Sequence, residues 1–198
     1  MEKVIEVLKK PARLIVLICL LAFAGFQSIY MIGVMSNSGG NAGAIVGSLF
    51  YLLVLFALVG SFVVAFFLKK DLAMKTIGVL LLGYQVIGEA LSIGDSFDFG
   101  GAFGTLRLIA LLSLILSMVI FFLGLFLDKF KGGMILKILG LAGVATYVLF
   151  AFIAWCVMFG SIPNYDGAWI MVMYILAQLS ILPAVLFGYI LLGLPAKE

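Results

Sequence analysis

The chain has 198 residues, of which 66% are hydrophobic and only 11% are charged, and its formal net charge is +3. A soluble domain is about half apolar and about a quarter charged, and a soluble fold of this length has too little interior to bury so much apolar surface. These values exclude a soluble globular protein and predict that the chain is surrounded by lipid.

In lipid, every backbone N–H and C=O group must be paired within a helix or a closed barrel. The apolar runs last about twenty residues or more, which suits helices that cross a hydrocarbon core of about 30 Å rather than barrel strands of about ten residues. The sequence therefore predicts an all-α fold, a polytopic transmembrane bundle of six helices in a single domain, residues 1–198. After an interfacial N-terminal segment at 1–10, we expect helices at about 12–35, 42–68, 72–94, 105–127, 134–160 and 168–193.

In this arrangement, Arg107 is the one basic residue that does not fall on the side of the membrane that holds both termini. Because cytoplasmic loops are enriched in Lys and Arg, we expect both termini in the cytoplasm and the chain in the bacterial cytoplasmic membrane. Trp155, Trp169, Tyr30 and Tyr165 are then expected at the opposite membrane interface as an aromatic belt. The expected partners are the bilayer and other membrane subunits or further copies of the chain; the basic residues can at most hold anionic lipid, and no nucleic acid is predicted.

The six helices divide into three hairpins of about 60 to 65 residues each, a length at which internal repeats are found. Residues 25–29 and 83–87 share the pattern Gly-aromatic-Gln in corresponding helices. Two interpretations fit this similarity: three parallel hairpin repeats, or the chance likeness of apolar segments.

Glu89 is the only carboxylate that lies well inside a long apolar run. A charge at this depth costs a few kcal/mol, and such a residue usually faces the bundle interior and has a partner. Arg107 enters the next predicted helix at nearly the same depth. Glu89 is therefore either part of a functional site or one half of an ion pair with Arg107.

Other polar side chains within the predicted helices occur in pairs at helical spacing. The candidate solute-binding residues are Gln27, Tyr30, Tyr84, Gln85, Glu89, Tyr174 and Gln178. If their helix faces converge, they form a pocket that opens toward the outer side and suits a small neutral or cationic solute. Hydrogen bonds between helices from Gln and Tyr are also an ordinary packing device, so plain packing is the alternative.

Two further features have a gating role as one of their interpretations. Phe97, Phe99 and Phe103 fall in a predicted loop at residues 95–104, where they can cover a cavity or lie in the headgroup layer. Pro183 removes one backbone hydrogen bond from the sixth helix, which predicts a bend or a hinge.

Gly39, Gly43 and Gly47 recur every four residues at the start of the second predicted helix. This spacing is typical of helices whose backbones approach closely. It predicts packing against another helix of the same chain, or against a partner subunit or a second copy of the chain.

The chain has no His and two Cys, and it lacks the motifs of known catalytic sites. We therefore predict a protein that is not an enzyme and that holds neither a cofactor nor a metal ion. Two functions remain: a transporter or the solute-binding membrane subunit of one, or a scaffold, assembly or immunity subunit that binds partner helices. In helix number, length and predicted placement of the termini, the chain resembles the substrate-binding S components of energy-coupling-factor vitamin transporters. This resemblance covers topology and implies no residue roles.

Overall fold

The computed structural model describes the backbone of residues 2–98, 100–127, 131–162 and 167–193, and within them all side chains except those of residues 2–10, 95, 131 and 132. These residues form six helices: α1 (Glu2–Asn37), α2 (Ala42–Phe67), α3 (Asp71–Asp98), α4 (Gly101–Phe126), α5 (Lys131–Gly160) and α6 (Ala168–Gly193). Each helix contains a stretch long and apolar enough to cross a membrane. The predicted bundle of six transmembrane helices is confirmed, and the chain is an integral membrane protein.

Two of the predicted boundaries differ from the structure. Residues 2–10 are helical and continuous with the first transmembrane helix, because α1 continues through Pro11; the stretch of α1 apolar enough to cross a membrane begins at Pro11, and the interfacial position of residues 2–10 stays a prediction. The predicted loop at 95–104 is largely helical, because α3 runs to Asp98 and α4 begins at Gly101. Gly100 makes the short turn possible, since its φ of 131° is a conformation that glycine adopts readily.

The helices form a closed ring in which each packs against its neighbours in sequence and α1 packs against α6. Helices α3 and α6 also touch across the ring. This contact divides the bundle into a first lobe (α1, α2, α3 and α6) and a second lobe (α3, α4, α5 and α6). We call the end of the bundle with Arg13, Lys69, Lys70 and Lys75 the lysine-rich end, and the opposite end, where α1, α3 and α5 finish, the far end.

The closest helix packing lies between α4 and α5, where glycines let the two backbones meet. A Cβ atom on Gly140 would lie 2.6 Å from Cβ and 2.9 Å from Cα of Phe121. On Gly124 it would lie 2.8 Å from the backbone N of Lys137. The three predicted hairpins (α1–α2, α3–α4 and α5–α6) therefore do not pack against one another equally closely. The closest packing between two hairpins is that of α4 against α5.

The expected packing role of Gly39, Gly43 and Gly47 within the chain is wrong. Asn41 caps α2 by accepting hydrogen bonds from the backbone N–H groups of Gly43 (3.0 Å) and Ala44 (3.3 Å), so the helix starts after Gly39. Gly39 lies in the preceding turn with φ of 58°. Gly43 and Gly47 are exposed, and no other helix lies within 4 Å of a Cβ placed on either.

The predicted orientation can be tested by labelling single cysteines after Cys19 and Cys156 have been replaced by alanine. With cytoplasmic termini, a membrane-impermeant thiol reagent added outside intact cells should label Ser38→Cys and Ser161→Cys at the far end. It should label Lys69→Cys at the lysine-rich end only after the membrane is permeabilised. Labelling of Lys69→Cys alone in intact cells would reverse the assignment.

Candidate functional site

Arg107 and Glu89 form a buried ion pair between α4 and α3. Arg107 lies six residues after the start of α4, and Glu89 lies nine residues before the end of α3, which places them about 9 and about 14 Å from the far end. Their side chains are about 95% buried. The predicted partner of Glu89 is thus the one the structure shows, and the two opposite charges neutralise each other inside the bundle.

Two serines of α3 complete the environment of the guanidinium group. Arg107 donates to Oγ of Ser92 at 2.9 Å and to Oγ of Ser96. Each hydroxyl in turn donates to a backbone carbonyl, that of Glu89 at 3.3 Å and that of Ser92 at 2.9 Å. Gln85, Glu89, Ser92 and Ser96 therefore form one polar stripe along α3. The Nε of Arg107 is buried and has no hydrogen-bond partner among the described residues.

Aromatic rings cover the remaining faces of the ion pair. The guanidinium carbon of Arg107 lies 4.9 Å from the centre of the Trp155 ring and 5.7 Å from that of Phe103. Both distances allow cation–π attraction, and the two rings contact each other edge to face with centres 5.3 Å apart. Trp155 is 1% exposed, so its expected place in an interfacial belt is wrong.

Glutamines link this pair to the first lobe. The amide nitrogen of Gln85 donates to Oε1 of Glu89 at 3.2 Å and reaches Oε1 of Gln178 on α6 at 3.5 Å, near the limit of a hydrogen bond. Gln27 is 2% exposed on α1, at the depth of Gln178 in the antiparallel α1–α6 pair. Three predicted glutamines thus lie at a similar level of the bundle.

Four tyrosines lie near these glutamines, one from each helix of the first lobe: Tyr30, Tyr51 and Tyr174 on their far-end side and Tyr84 at the level of Gln85. Tyr30 of α1 stacks on Tyr174 of α6 with ring centres 4.7 Å apart, and Tyr51 of α2 packs on Tyr84 of α3 at 5.4 Å. All four are partly exposed. We call Tyr30, Tyr51, Tyr84 and Tyr174 the tyrosine cluster.

Several buried polar atoms here have no hydrogen-bond partner among the described residues. They are Oε1 of Gln27 and the hydroxyls of Tyr84 and Tyr147. The hydroxyl of Tyr84 lies near that of Tyr51, and the hydroxyl of Tyr147 lies near the amide of Gln85, but neither contact is close and aligned enough for a hydrogen bond. Tyr147 of α5 is 1% exposed. An unsatisfied buried polar group costs about 1 to 3 kcal/mol. Hydrogen bonds between these atoms and a bound molecule would therefore stabilise the complex.

Sequence reasoning found part of this site and missed the rest. Gln85, Glu89, Gln178 and Arg107 come together, and Tyr30 meets Tyr174. The residues it missed are Tyr51, Ser92, Ser96, Tyr147 and Trp155. The two serines could have been found, because they continue the spacing of Gln85 and Glu89 along one face of α3.

The aromatic residues predicted as a lid do not share a long loop. Phe97 lies in the last turn of α3, and its ring packs against Gly104. A Cβ atom placed on Gly104 would lie 2.5 Å from a carbon of this ring. Phe103 is 3% exposed within α4. Phe99 lies outside the described residues, as does Tyr165. Pro183 lies inside α6, which continues through it, and its gating role stays a prediction.

A cavity lies on the other side of the glutamines from the predicted pocket. It occupies the lysine-rich half of the first lobe and extends from Arg13, Asp71 and Lys75 to Gln85. The position predicted from the sequence for a solute pocket corresponds instead to the far-end half, at the tyrosine cluster. Within the described part of the chain, no group of three or more Cys, Asp or Glu side chains can hold a metal ion.

The fold and this arrangement define a six-helix integral membrane protein with a charge-neutral polar and aromatic cluster inside the bundle. A scan against models of protein families finds no match, and searches among curated proteins and solved structures also find none.

Proposed function

We propose that this chain is the solute-binding membrane component of a transport system, and that its solute is a small neutral molecule with hydrogen-bonding groups. The observation that carries the proposal is two buried polar atoms without a hydrogen-bond partner among the described residues, the hydroxyl of Tyr84 in the tyrosine cluster and Oε1 of Gln27, one helical turn before Tyr30 on α1. Polar groups are expensive inside a membrane protein and usually mark a site. Here they converge from α1, α2, α3 and α6.

The charges favour a neutral solute over a cation. Glu89 is the only carboxylate among the described side chains of the candidate site, and it is paired with Arg107. A cationic solute would therefore have to compete for Glu89 with an arginine that is already held by Ser92 and Ser96. Aromatic rings and amide groups instead suit a molecule with a flat or apolar body and a few donors and acceptors.

A binding screen with purified full-length protein tests the proposal. We expect neutral solutes from a panel of heterocycles, amides and sugars to raise the thermal unfolding temperature, and simple organic cations to have less effect. Gln27→Met and Tyr84→Phe should each weaken the binding of such a solute about tenfold, the equivalent of one hydrogen bond of about 1.4 kcal/mol. Without solute, both variants should be as stable as the wild type or more so, because an unsatisfied group has been removed.

Tyr189→Phe is the matched control. Its hydroxyl is also buried without a partner, but its ring packs on Phe121 with centres 5.1 Å apart, away from the tyrosine cluster. This variant should keep the full response to solute. If no solute stabilises the wild type, or if Gln27→Met and Tyr84→Phe respond as the wild type does, the proposal fails.

The second candidate is a scaffold that binds partner helices. Gly43 and Gly47 favour it, because both are exposed on α2 and no other helix lies within 4 Å of a Cβ placed on either. Copurification of a stoichiometric membrane partner that is lost in Gly47→Leu, together with no response in the solute screen, would favour this function over transport.

A further inference from the structure

The cavity in the lysine-rich half of the first lobe is narrow and deep. Its volume is about 700 Å³ when the space at its opening is included. Lys75 and Gln85 of α3 both line the cavity. They are ten residues apart, which corresponds to about 15 Å of helix. That depth is half of a hydrocarbon core of about 30 Å, so the cavity is as deep as one lipid leaflet.

The wall of the cavity is almost entirely apolar. Its side chains include Val16, Leu20, Leu81, Leu82, Ile181 and Val185. Gly78 of α3 and Gly188 of α6 also line it, and nothing lies within 4 Å of a Cβ placed on either glycine. At the deep end, the amide nitrogen of Gln85 already donates to Glu89. The wall therefore suits an apolar chain better than a polar solute.

The mouth of the cavity carries an excess of positive charge. Arg13 pairs with Asp71, and Lys75 adds a second basic group whose Nζ lies 3.5 Å from the carbonyl of Leu192 in the last turn of α6. Among the described residues that line the cavity, the two basic side chains and one acidic side chain have a net charge of +1. Arg13 is 24% exposed, so its guanidinium can contact a group at the membrane surface. Basic groups at this level attract anionic lipid headgroups.

We infer that this cavity binds one acyl chain of an anionic membrane lipid, with the chain between Gly78 and Gly188 and the headgroup phosphate at Arg13 and Lys75. The depth, the apolar wall and the charge of the rim each match one part of such a lipid. This site is distinct from the proposed solute site, because it lies in the opposite half of the bundle and requires a different chemistry.

Native mass spectrometry of the full-length protein tests the inference. The protein is delipidated in detergent and then incubated with phosphatidylglycerol or with phosphatidylcholine of the same acyl chains. We expect a single tightly retained phosphatidylglycerol, preferred over phosphatidylcholine by about fivefold or more, the effect of one basic side chain near an anionic surface. Lys75→Gln should remove most of this preference.

Gly188→Leu and Gly78→Leu test the position of the chain. The Cβ atom of each leucine has no other atom within 4 Å, and leucine favours a helix more than glycine does, so we expect both variants to fold with the leucine side chain in the cavity. Both should lose the retained lipid. Gly25→Leu is the matched control, because Gly25 is an exposed glycine of α1 with nothing within 4 Å of its Cβ position and no place in the cavity. It should retain the lipid as the wild type does.

Three results would overturn the inference. They are equal retention of the two lipids by the wild type, unchanged retention in both cavity-filling variants, and displacement of the lipid by a neutral solute that binds in its place. The last result would assign the cavity to the solute instead.

Discussion

Replacing Arg107 by methionine is expected to lower the free energy of unfolding by about 3 to 5 kcal/mol. The reason is that Glu89, which is 6% exposed, would keep its charge in the bundle without its partner. The hydroxyl oxygens of Ser92 and Ser96 would also lose the hydrogen bonds that they accept from Arg107. Equilibrium unfolding in mixed detergent micelles measures the effect, and the fluorescence of Trp155 reports it locally because the ring lies against the guanidinium.

The double variant Glu89→Gln with Arg107→Met should recover most of this loss, since both charges are then absent and a buried ion pair contributes little net stability. Arg13→Met is the control for a less buried pair with Asp71. It should cost less than Arg107→Met, because Asp71 is as buried as Glu89 but Arg13 is 24% exposed, so water can approach the carboxylate once the arginine is removed. Additive losses in the double variant would contradict a direct pairing of Glu89 with Arg107.

Gly140→Ala is expected to cost about 1 to 3 kcal/mol through overpacking. Its new methyl group would lie 2.6 Å from Cβ and 2.9 Å from the backbone N of Phe121, and backbone atoms cannot move aside without separating α4 from α5. The same unfolding experiment measures the change.

Gly60→Ala is the matched control, because Gly60 lies inside α2 with nothing within 4 Å of its Cβ position. Its stability should be unchanged or higher by up to about 1 kcal/mol, since alanine favours a helix. Equal stability of the two alanine variants would mean that α4 and α5 do not approach each other as closely as the structure indicates.

The ion pair is the part of the candidate site that sequence predicted best. Glu89 and Arg107 lie at similar depths on either side of a short turn, and a buried charge needs an opposite charge, so few other partners were available. Tyr51 and Tyr147 gave no such signal. A single tyrosine in an apolar run is equally compatible with lipid, with an interface or with the core, and only the contacts of other helices identify it.

The segment at 95–104 shows a different limit of sequence reasoning. Its glycines, phenylalanines and aspartates are typical of a loop, yet α3 and α4 extend into it from both sides. In a membrane environment, each additional helical residue pairs backbone groups that would otherwise lack partners. A single glycine turn at Gly100 is then sufficient to reverse the chain.

The sequence by itself determined the surrounding solvent, the number of helices and the charges that must be paired, because each long apolar run has to satisfy its own backbone hydrogen bonds in lipid. The tertiary structure decided the ring order, the two lobes and the position of the cavity. Those features depend on which helix faces meet, as at Gly33, where a Cβ would lie 2.9 Å from Ile170 and Trp169 of α6. Apolar side chains pack about as well against lipid as against another helix, so hydrophobicity along the chain does not identify the partner of each face.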